Sequence, residues 1–250
     1  FLWEVEAKDV ARAALPGHFV MVRLHEGSER IPLTVADYDA EKGTITMVIQ
    51  ALGKTTREMM TRYKEGDSFS DFVGPLGVPQ HVEKVGHVVL VGGGLGVAPV
   101  YPQLRSFKNA GNRTTGIIGF RSQPLVFWED RFRRWCDDLI VCTDDGSYGK
   151  PGFVTKALQE LLEKEKPDLV VAIGPLPMMN ACVETTRPFG VKTMVSLNAI
   201  MVDGTGMCGS CRVTVDGKVK FACVEGPDFD GHKVDFDELM ARQQRFRPQE

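Results

Sequence analysis

From residue 88 to residue 197 the chain alternates between short β-branched apolar runs and stretches of helical period, and this alternation constrains the fold more than any other feature. The spacing predicts strands over 88–91, 115–120, 139–143, 169–173 and 192–197, and helices over 97–109, 128–135, 153–164 and 178–187. Strands that recur only after an intervening helix pair in parallel, so 82–197 is expected to form a parallel sheet covered on both faces.

The residues on either side have a different rhythm. The first eighty read as short strands over 19–24, 32–36 and 44–50, separated by Pro16-Gly17, Glu26-Gly27 and Lys42-Gly43, which predicts a small antiparallel barrel. One helix is expected at 54–63, with Thr55 and Thr56 supplying capping hydroxyls. The Gly- and Pro-rich run 73–79 is expected to break regular structure, with a domain boundary near His81. After Asn198 come a cysteine-containing segment, a short hairpin and a charged terminal helix over 235–250. The fold class is therefore a β-barrel plus α/β: a barrel at 1–81, a parallel-sheet domain at 82–197 and a small segment at 198–250. A length of 250 residues suits two domains and an appendage.

Composition narrows the function. Thirty basic residues against thirty-three acidic give a net charge of −3, which leaves no electrostatic footprint for nucleic acid. The longest apolar stretch, 85–101, is broken by glycines and a proline, so it is no membrane span. The chain opens on Phe1 within a strand pattern and shows no leader, so a short preceding piece is expected to be missing. Six cysteines are too few for a disulfide scaffold. Three of them (Cys208, Cys211, Cys223) cluster, which points to metal chemistry in a reducing, cytoplasmic compartment.

The run 88–91 leads directly into Gly92-Gly93-Gly94-Leu95-Gly96. Glycines there let backbone N–H groups approach a diphosphate at the N-terminus of the following helix. The other reading is a tight strand-to-helix turn with no ligand. Three further loops fall at carboxyl ends of later strands: Arg121-Ser122, Asp144-Asp145-Gly146-Ser147 and Gly174-Pro175 through Met178. Together these four loops favour a dinucleotide. No acidic residue closes the second strand, and Arg121 there fits a 2′-phosphate or an adenine stack equally, so NAD and NADP both stay open.

In the cysteine segment, Asp216-Gly217 between two alternating runs predicts a two-residue hairpin, with Val215 opposite Lys218 and Cys223 opposite Ser210. Three thiolates are then expected to converge on one point. Asp203 stands five residues before Cys208, which gives Asp-x4-Cys-x2-Cys-x11-Cys, the plant-type [2Fe–2S] spacing with an oxygen ligand first. A structural zinc ion and free thiols are the alternatives. Water or a partner residue is the alternative to Asp203 as fourth ligand.

On the barrel, Arg30, Pro32, Leu33 and Thr34, together with Gly53, Lys54, Thr55 and Thr56, put a cation, hydroxyls and a helix start where a second phosphate group would fit. Ordinary strand ends and an N-cap explain them as well. A nicotinamide delivers two electrons as hydride and an iron–sulfur cluster accepts one at a time. A flavin is the carrier that does both.

With Arg-Ile-Pro-Leu-Thr at 30–34, Gly-Lys-Thr-Thr at 53–56, Gly-Pro-Leu-Gly at 74–77, Gly-Gly-Gly-Leu-Gly-Val-Ala-Pro at 92–99, Gly-Pro-x-x-Met-Met at 174–179 and the Asp/Cys cluster, the chain resembles the ferredoxin–NADP reductase superfamily over nearly its whole length. The branch it resembles holds the electron-transfer subunits of dihydroorotate dehydrogenase B and the small subunits of NADH-dependent reduced ferredoxin:NADP oxidoreductases. The resemblance implies FAD on the barrel, with Pro32 to Thr34 against the isoalloxazine, Thr34 beside N5, and Gly53, Thr55 and Thr56 near the diphosphate. It implies NAD(H) at Gly92 to Gly96, and a cluster held by Asp203, Cys208, Cys211 and Cys223. The superfamily's Arg-x-Tyr-Ser is altered, since Arg30 stands four residues before the hydroxyl, and its Cys-Gly-Pro reads Ile173-Gly174-Pro175. Asp203 in place of a fourth cysteine resembles the second kind of subunit. By that likeness the partner is a larger flavoprotein subunit with [4Fe–4S] clusters in a heterodimer that bifurcates electrons and serves ferredoxin indirectly. The remaining alternatives are an NAD-linked dihydroorotate system and a non-catalytic redox sensor on the same fold.

Overall fold

The structure is a computed structural model that describes residues 1–244. The N-terminal part contains β1 (Leu2–Glu6), α1 (Lys8–Ala13), β2 (Phe19–Arg23), β3 (Arg30–Thr34), β4 (Asp37–Asp39), β5 (Thr44–Val48), α2 (Lys54–Arg62) and β6 (Asp71–Leu76). They form two antiparallel three-stranded sheets, β1-β5-β4 and β3-β2-β6. Val20, Val22, Ile45, Met47 and Met59 fill the space between the sheets. The expected break at 73–79 is corrected, because 71–76 is a strand despite Gly74 and Pro75. It lies on a sheet edge and its register with β2 shifts between Phe19 and Met21. Those are the two circumstances in which a strand tolerates proline.

Next come β7 (His87–Gly93), α3 (Val97–Asn109), β8 (Arg113–Phe120), α4 (Glu129–Trp135), β9 (Asp138–Thr143), β10 (Lys150–Pro151), α5 (Val154–Leu162), β11 (Leu169–Ile173), α6 (Leu176–Thr186) and β12 (Lys192–Ser196). The expected alternation is observed, with ends shifted by a residue or two. Pro99 falls in the first turn of α3, where its missing N–H costs no helix bond. The C-terminal part adds β13 (Arg212–Val215), β14 (Lys218–Phe221), α7 (Ala222–Glu225), β15 (Asp228–Asp230) and α8 (Phe236–Gln243). Of the expected terminal helix, 245–250 lies outside the described residues.

The large sheet runs β10-β9-β8-β7-β11-β12-β15 and is parallel except for β15, which pairs antiparallel with β12. The C-terminal segment thus donates a strand to the large sheet. After β7 the chain proceeds outward through β8 and β9 and then crosses to β11 on the other side of β7. That reversal opens a crevice beyond the carboxyl ends of β7 and β11. Helices α3 and α4 cover one face. Helices α5 and α6 cover the other, in a core that continues into Phe19 and Met21 of the barrel and into Cys211, Ala222 and Cys223. Among the described residues no helix is long and apolar enough to cross a membrane.

Candidate cofactor sites

The glycine turn and Met178 meet at the crevice. A Cβ on Gly93 would overlap the Met178 sulfur, and one on Gly96 would overlap the Ile173 carbonyl oxygen. A Cβ on Gly174 would stand 2.8 Å from Met178 Cε. These glycines let the loops after β7 and β11 lie in contact, and Met178 fills the space between them. Gly94 differs: it has φ +55 and nothing within 4 Å of where its Cβ would be, so its backbone faces open space. Gly92 packs on Val97, and Pro175 is exposed.

The loops after β8 and β9 are tied to each other. Asp145 N–H donates to Arg121 O (3.2 Å) and Gln123 N–H to Ser147 Oγ (2.8 Å). The Ser147 hydroxyl and N–H hold the Asp145 carboxyl below its ordinary range. Arg121 and Asp145 are both exposed at the carboxyl edge of the sheet.

On the barrel, the Thr55 hydroxyl donates to Glu29, which ties the first turn of α2 to the start of β3. Thr56 Oγ1 accepts from Gly53 N–H (3.1 Å) and Leu52 N–H (3.0 Å), the one half of a capping box that a glycine N-cap allows, and this occupies its hydroxyl. Arg30 donates to Asp71 Oδ2 through Nε (3.0 Å) and Nη2 (2.7 Å), and with Arg23 it holds that carboxyl below its usual range. Thus Arg30, Thr55 and Thr56 all have protein partners. Gly53 and Lys54 at the first turn of α2 are exposed, as is Thr34 at the end of β3.

In the cysteine segment the hairpin has the expected turn, with φ +53 at Asp216 and +69 at Gly217, and Val215 opposite Lys218. The ladder ends at Arg212–Phe221, so the expected pairing of Cys223 with Ser210 is corrected: Cys223 sits in α7. Convergence of three thiols on one point is corrected as well. The four candidate ligands form two pairs, with Cys211 Sγ 3.1 Å from Cys223 Sγ and Cys208 Sγ 3.4 Å from Asp203 Oδ1. Among the described residues no three His, Cys, Asp or Glu side chains are grouped to hold one metal ion. Two pairs do not make the four-ligand shell of a zinc ion; they suit two irons with two protein ligands each.

Electrostatics separate these cysteines from the others. Burial pushes the thiols of Cys136 and Cys182 up to about 12 and that of Cys142 to about 11, so they are inert packing residues. The Ser210 N–H donates to Cys208 Sγ (3.5 Å) and the Ser210 hydroxyl lies 3.3 Å from the same sulfur; together they hold the thiol below its ordinary value. Burial raises Cys223, and Cys211 beside it adds to the effect, so a cation is needed to draw out that proton. For Asp203, desolvation is outweighed by the N–H groups of Thr205, Cys208 and Met207, and the carboxylate is favoured. The loop rests on the barrel: a Cβ on Gly204 would lie 2.6 Å from Met21 Cγ and 3.1 Å from Leu76 Cδ1.

The sequence reading missed a polar junction around Asp228, Gln103 and Gln80, because nothing local marks an aspartate as enclosed. It also missed Asp37, which receives Arg105 (2.9 Å) and Arg131 (3.4 Å) and so joins α3 and α4 to the barrel.

Comparison with known proteins agrees with this geometry. Residues 198–235 match the family described as the iron–sulfur cluster binding domain of dihydroorotate dehydrogenase B. A Thermotoga maritima protein described as a dihydroorotate dehydrogenase B (NAD(+)), electron transfer subunit homolog is 50% identical over 98% of this chain and 86% of its own length. The Shouchella clausii dihydroorotate dehydrogenase B (NAD(+)), electron transfer subunit is 34% identical over 90% of this chain and 88% of its own. A solved structure, described as giving insights into flavin-based electron bifurcation via the NADH-dependent reduced ferredoxin-NADP oxidoreductase, superposes with a TM-score of 0.94 at 49% identity. It covers 100% of this chain and 90% of the other. The chain belongs to the family of dihydroorotate dehydrogenase B electron-transfer subunits and their homologues.

Proposed function

We propose that this chain is the electron-transferring subunit of an NADH-dependent reduced ferredoxin–NADP oxidoreductase, moving electrons between NAD(H), FAD and a [2Fe–2S] cluster. The observation that carries this reading is the shared core: Cys211 and Cys223 pack in the same apolar cluster as Phe19 and Met21 of the barrel and the α5–α6 face of the sheet. Electron tunnelling needs such close, rigid packing of neighbouring carriers.

The units are 1–81 for FAD, 82–197 for NAD(H) and 198–250 for the cluster. When bound, the flavin supplies conversion between hydride and single-electron chemistry. The chain's own residues position the groups. The first turn of α2 at Gly53–Thr56 offers backbone N–H groups to a diphosphate, with Lys54 adding charge and Arg30 reaching it from its pair with Asp71. Pro32, Leu33 and Thr34 of β3 would hold the flavin ring, and Thr34 would offer it a hydroxyl. Gly94 presents backbone to the nucleotide at the crevice between β7 and β11, with Arg121, Asp145 and Pro175 around it. Asp203 and Cys208 hold one iron and Cys211 and Cys223 the other. The partner is a larger flavoprotein subunit carrying [4Fe–4S] clusters, in a heterodimer that bifurcates electrons toward ferredoxin.

The names of several relatives favour a second reading, service to a dihydroorotate-oxidising subunit. Anaerobic titration of the purified complex with NADH tests the function. Flavin and cluster absorption bleach together if the chain is the conduit, and a colourless or zinc-loaded protein overturns it. Orotate formation by the co-purified subunit would assign the complex to the second reading.

A further inference from the structure

Asp228, at the start of β15, lies where the three proposed units meet. Gly17 and Gln80 approach it from the barrel side, Gln103 from α3 and Ser196 from β12. Gln103 Nε2 donates to Asp228 Oδ2 at 3.2 Å, and Ser196, opposite in the ladder, also hydrogen-bonds the carboxyl. A Cβ on Gly17 would lie 3.2 Å from Asp228 Oδ2 and 3.6 Å from Gln80 Cβ, so both side chains flank Gly17. Backbone bonds close the junction: Val78 N–H to Gly226 O, Leu197 N–H to Pro227 O and Gln80 N–H to Pro16 O.

The donor inventory of this junction does not balance. Gln103 is fully buried; its amide N–H goes to Asp228, while its Oε1 has no donor. Gln80 gives its amide N–H to His81 O, and its Oε1 likewise has none. Asp228 as a residue is partly open, but its Oδ1 is sealed from solvent and is also without a donor. Enclosed acceptors left without a donor are costly, and a proton on the carboxyl would supply one.

The charged groups on the surrounding elements are engaged elsewhere. Arg105 of α3 pairs with Asp37, Asp230 of β15 accepts from His232 N–H, and His81 lies 3.6 Å from Glu83. His18, next to Gly17, accepts from Leu15 N–H at Nδ1, and burial keeps it neutral by lowering its pKa. Among the described residues no cation is recorded against the Asp228 carboxyl.

We infer that this junction is a proton-binding site, with the proton on Asp228 Oδ1 donated to an enclosed amide oxygen, and that the bound proton fastens barrel, sheet and cluster segment together. The inference stands apart from the proposed function, since it requires only the fold. Burial pushes the Asp228 carboxyl up to about 6 against the Ser196 and Gln103 hydrogen bonds that lower it, so the proton is held under mildly acid conditions and leaves as the solution approaches neutrality. The folded state binds this proton more tightly than the unfolded state. The junction's stability is therefore complete at low pH and falls as pH rises through about 6.

The test uses the full chain, purified with its cofactors, and the Asp228→Asn variant, which keeps the shape and carries a permanent donor. Infrared difference spectra of the wild type should show a protonated-carboxyl carbonyl band at acid pH that disappears with a midpoint near 6 and is missing from the variant. Exchange of the Val78 and Leu197 amides should accelerate beyond the intrinsic base-catalysed trend as pH rises from about 4 to about 6 and follow that trend above it. The excess is about a hundredfold where the opened carboxyl titrates as an ordinary aspartate. In D228N the excess should vanish. A second variant, Ser196→Ala, removes a donor to the carboxylate without touching either enclosed amide oxygen and should move the infrared midpoint up. The inference is overturned by a wild type whose band is unchanged by D228N, by equal exchange excess in both proteins, or by an unmoved midpoint in S196A.

Discussion

The nucleotide edge of the sheet and the cysteine loop carry the two densest motifs of the chain, but they use their residues in opposite ways. At the sheet edge packing accounts for most of the motif: Gly93 makes room for Met178 and Gly96 for the Ile173 carbonyl, and only Gly94 turns toward open space. In the cysteine loop packing accounts for little. Cys208 is exposed, and Cys211 and Cys223 hold their sulfurs 3.1 Å apart, a juxtaposition that apolar packing does not require. A residue that the fold itself requires says little about a ligand. A residue the fold would rather be without says much.

The sharpest way to break this contrast is at two glycines two residues apart. Gly96 has φ −60, which suits any residue, so Gly96→Ala tests packing alone. It should cost about 3 kcal/mol in chemical denaturation, the upper range for overpacking, because the overlap is with backbone that cannot give way. Gly94→Ala meets no neighbour but forces a side chain into the left-handed region, at about 1 kcal/mol. It should weaken NADH binding more than its small stability loss suggests. If Gly96→Ala is as stable as the wild type, or Gly94→Ala binds NADH unchanged, the division of labour is wrong. In the cysteine loop the corresponding change is Asp203→Cys. The cluster should persist with a shifted spectrum and potential, whereas Cys211→Ser should abolish it while leaving the sheet folded by circular dichroism. A cluster wholly unaffected by Asp203→Cys means that Asp203 is no ligand.

The same contrast explains what was legible in the sequence. Strand and helix placement from 88 to 197 could be read because burial on both faces forces continuous apolar runs, as in β7 and β11, where every residue is buried. The hairpin at Asp216-Gly217 was legible because its turn demands those residues. The strand at Asp71–Leu76 was not, since Gly74 and Pro75 ordinarily exclude one, and only the bulge opposite β2 admits them. Nor was the pairing of Asp203 with Cys208 and Cys211 with Cys223. Hairpin arithmetic carried Cys223 beyond the point where the ladder turns into α7. Asp228 was invisible because its enclosure depends on Gln80, Gln103 and Ser196, which no local pattern connects to it.

Thr56 offers the smallest test of the contrast, on the barrel, where the motif reading assigned it to the diphosphate. Its hydroxyl accepts from Gly53 N–H and Leu52 N–H and returns a bond to Gly53 O at 3.2 Å, so it belongs with the residues the fold requires. Thr56→Ala should cost about 1 kcal/mol, the usual value of an N-terminal cap, and leave the FAD content of the purified protein unchanged. Thr56→Ser should restore the stability. Lys54→Ala should do the reverse, lowering FAD content through lost charge while stability holds, since Lys54 is exposed at the first helical position. If FAD content instead falls with Thr56→Ala and recovers with Thr56→Ser, the hydroxyl serves the cofactor, and the barrel motif would then join the cysteine loop on the side of residues kept for chemistry.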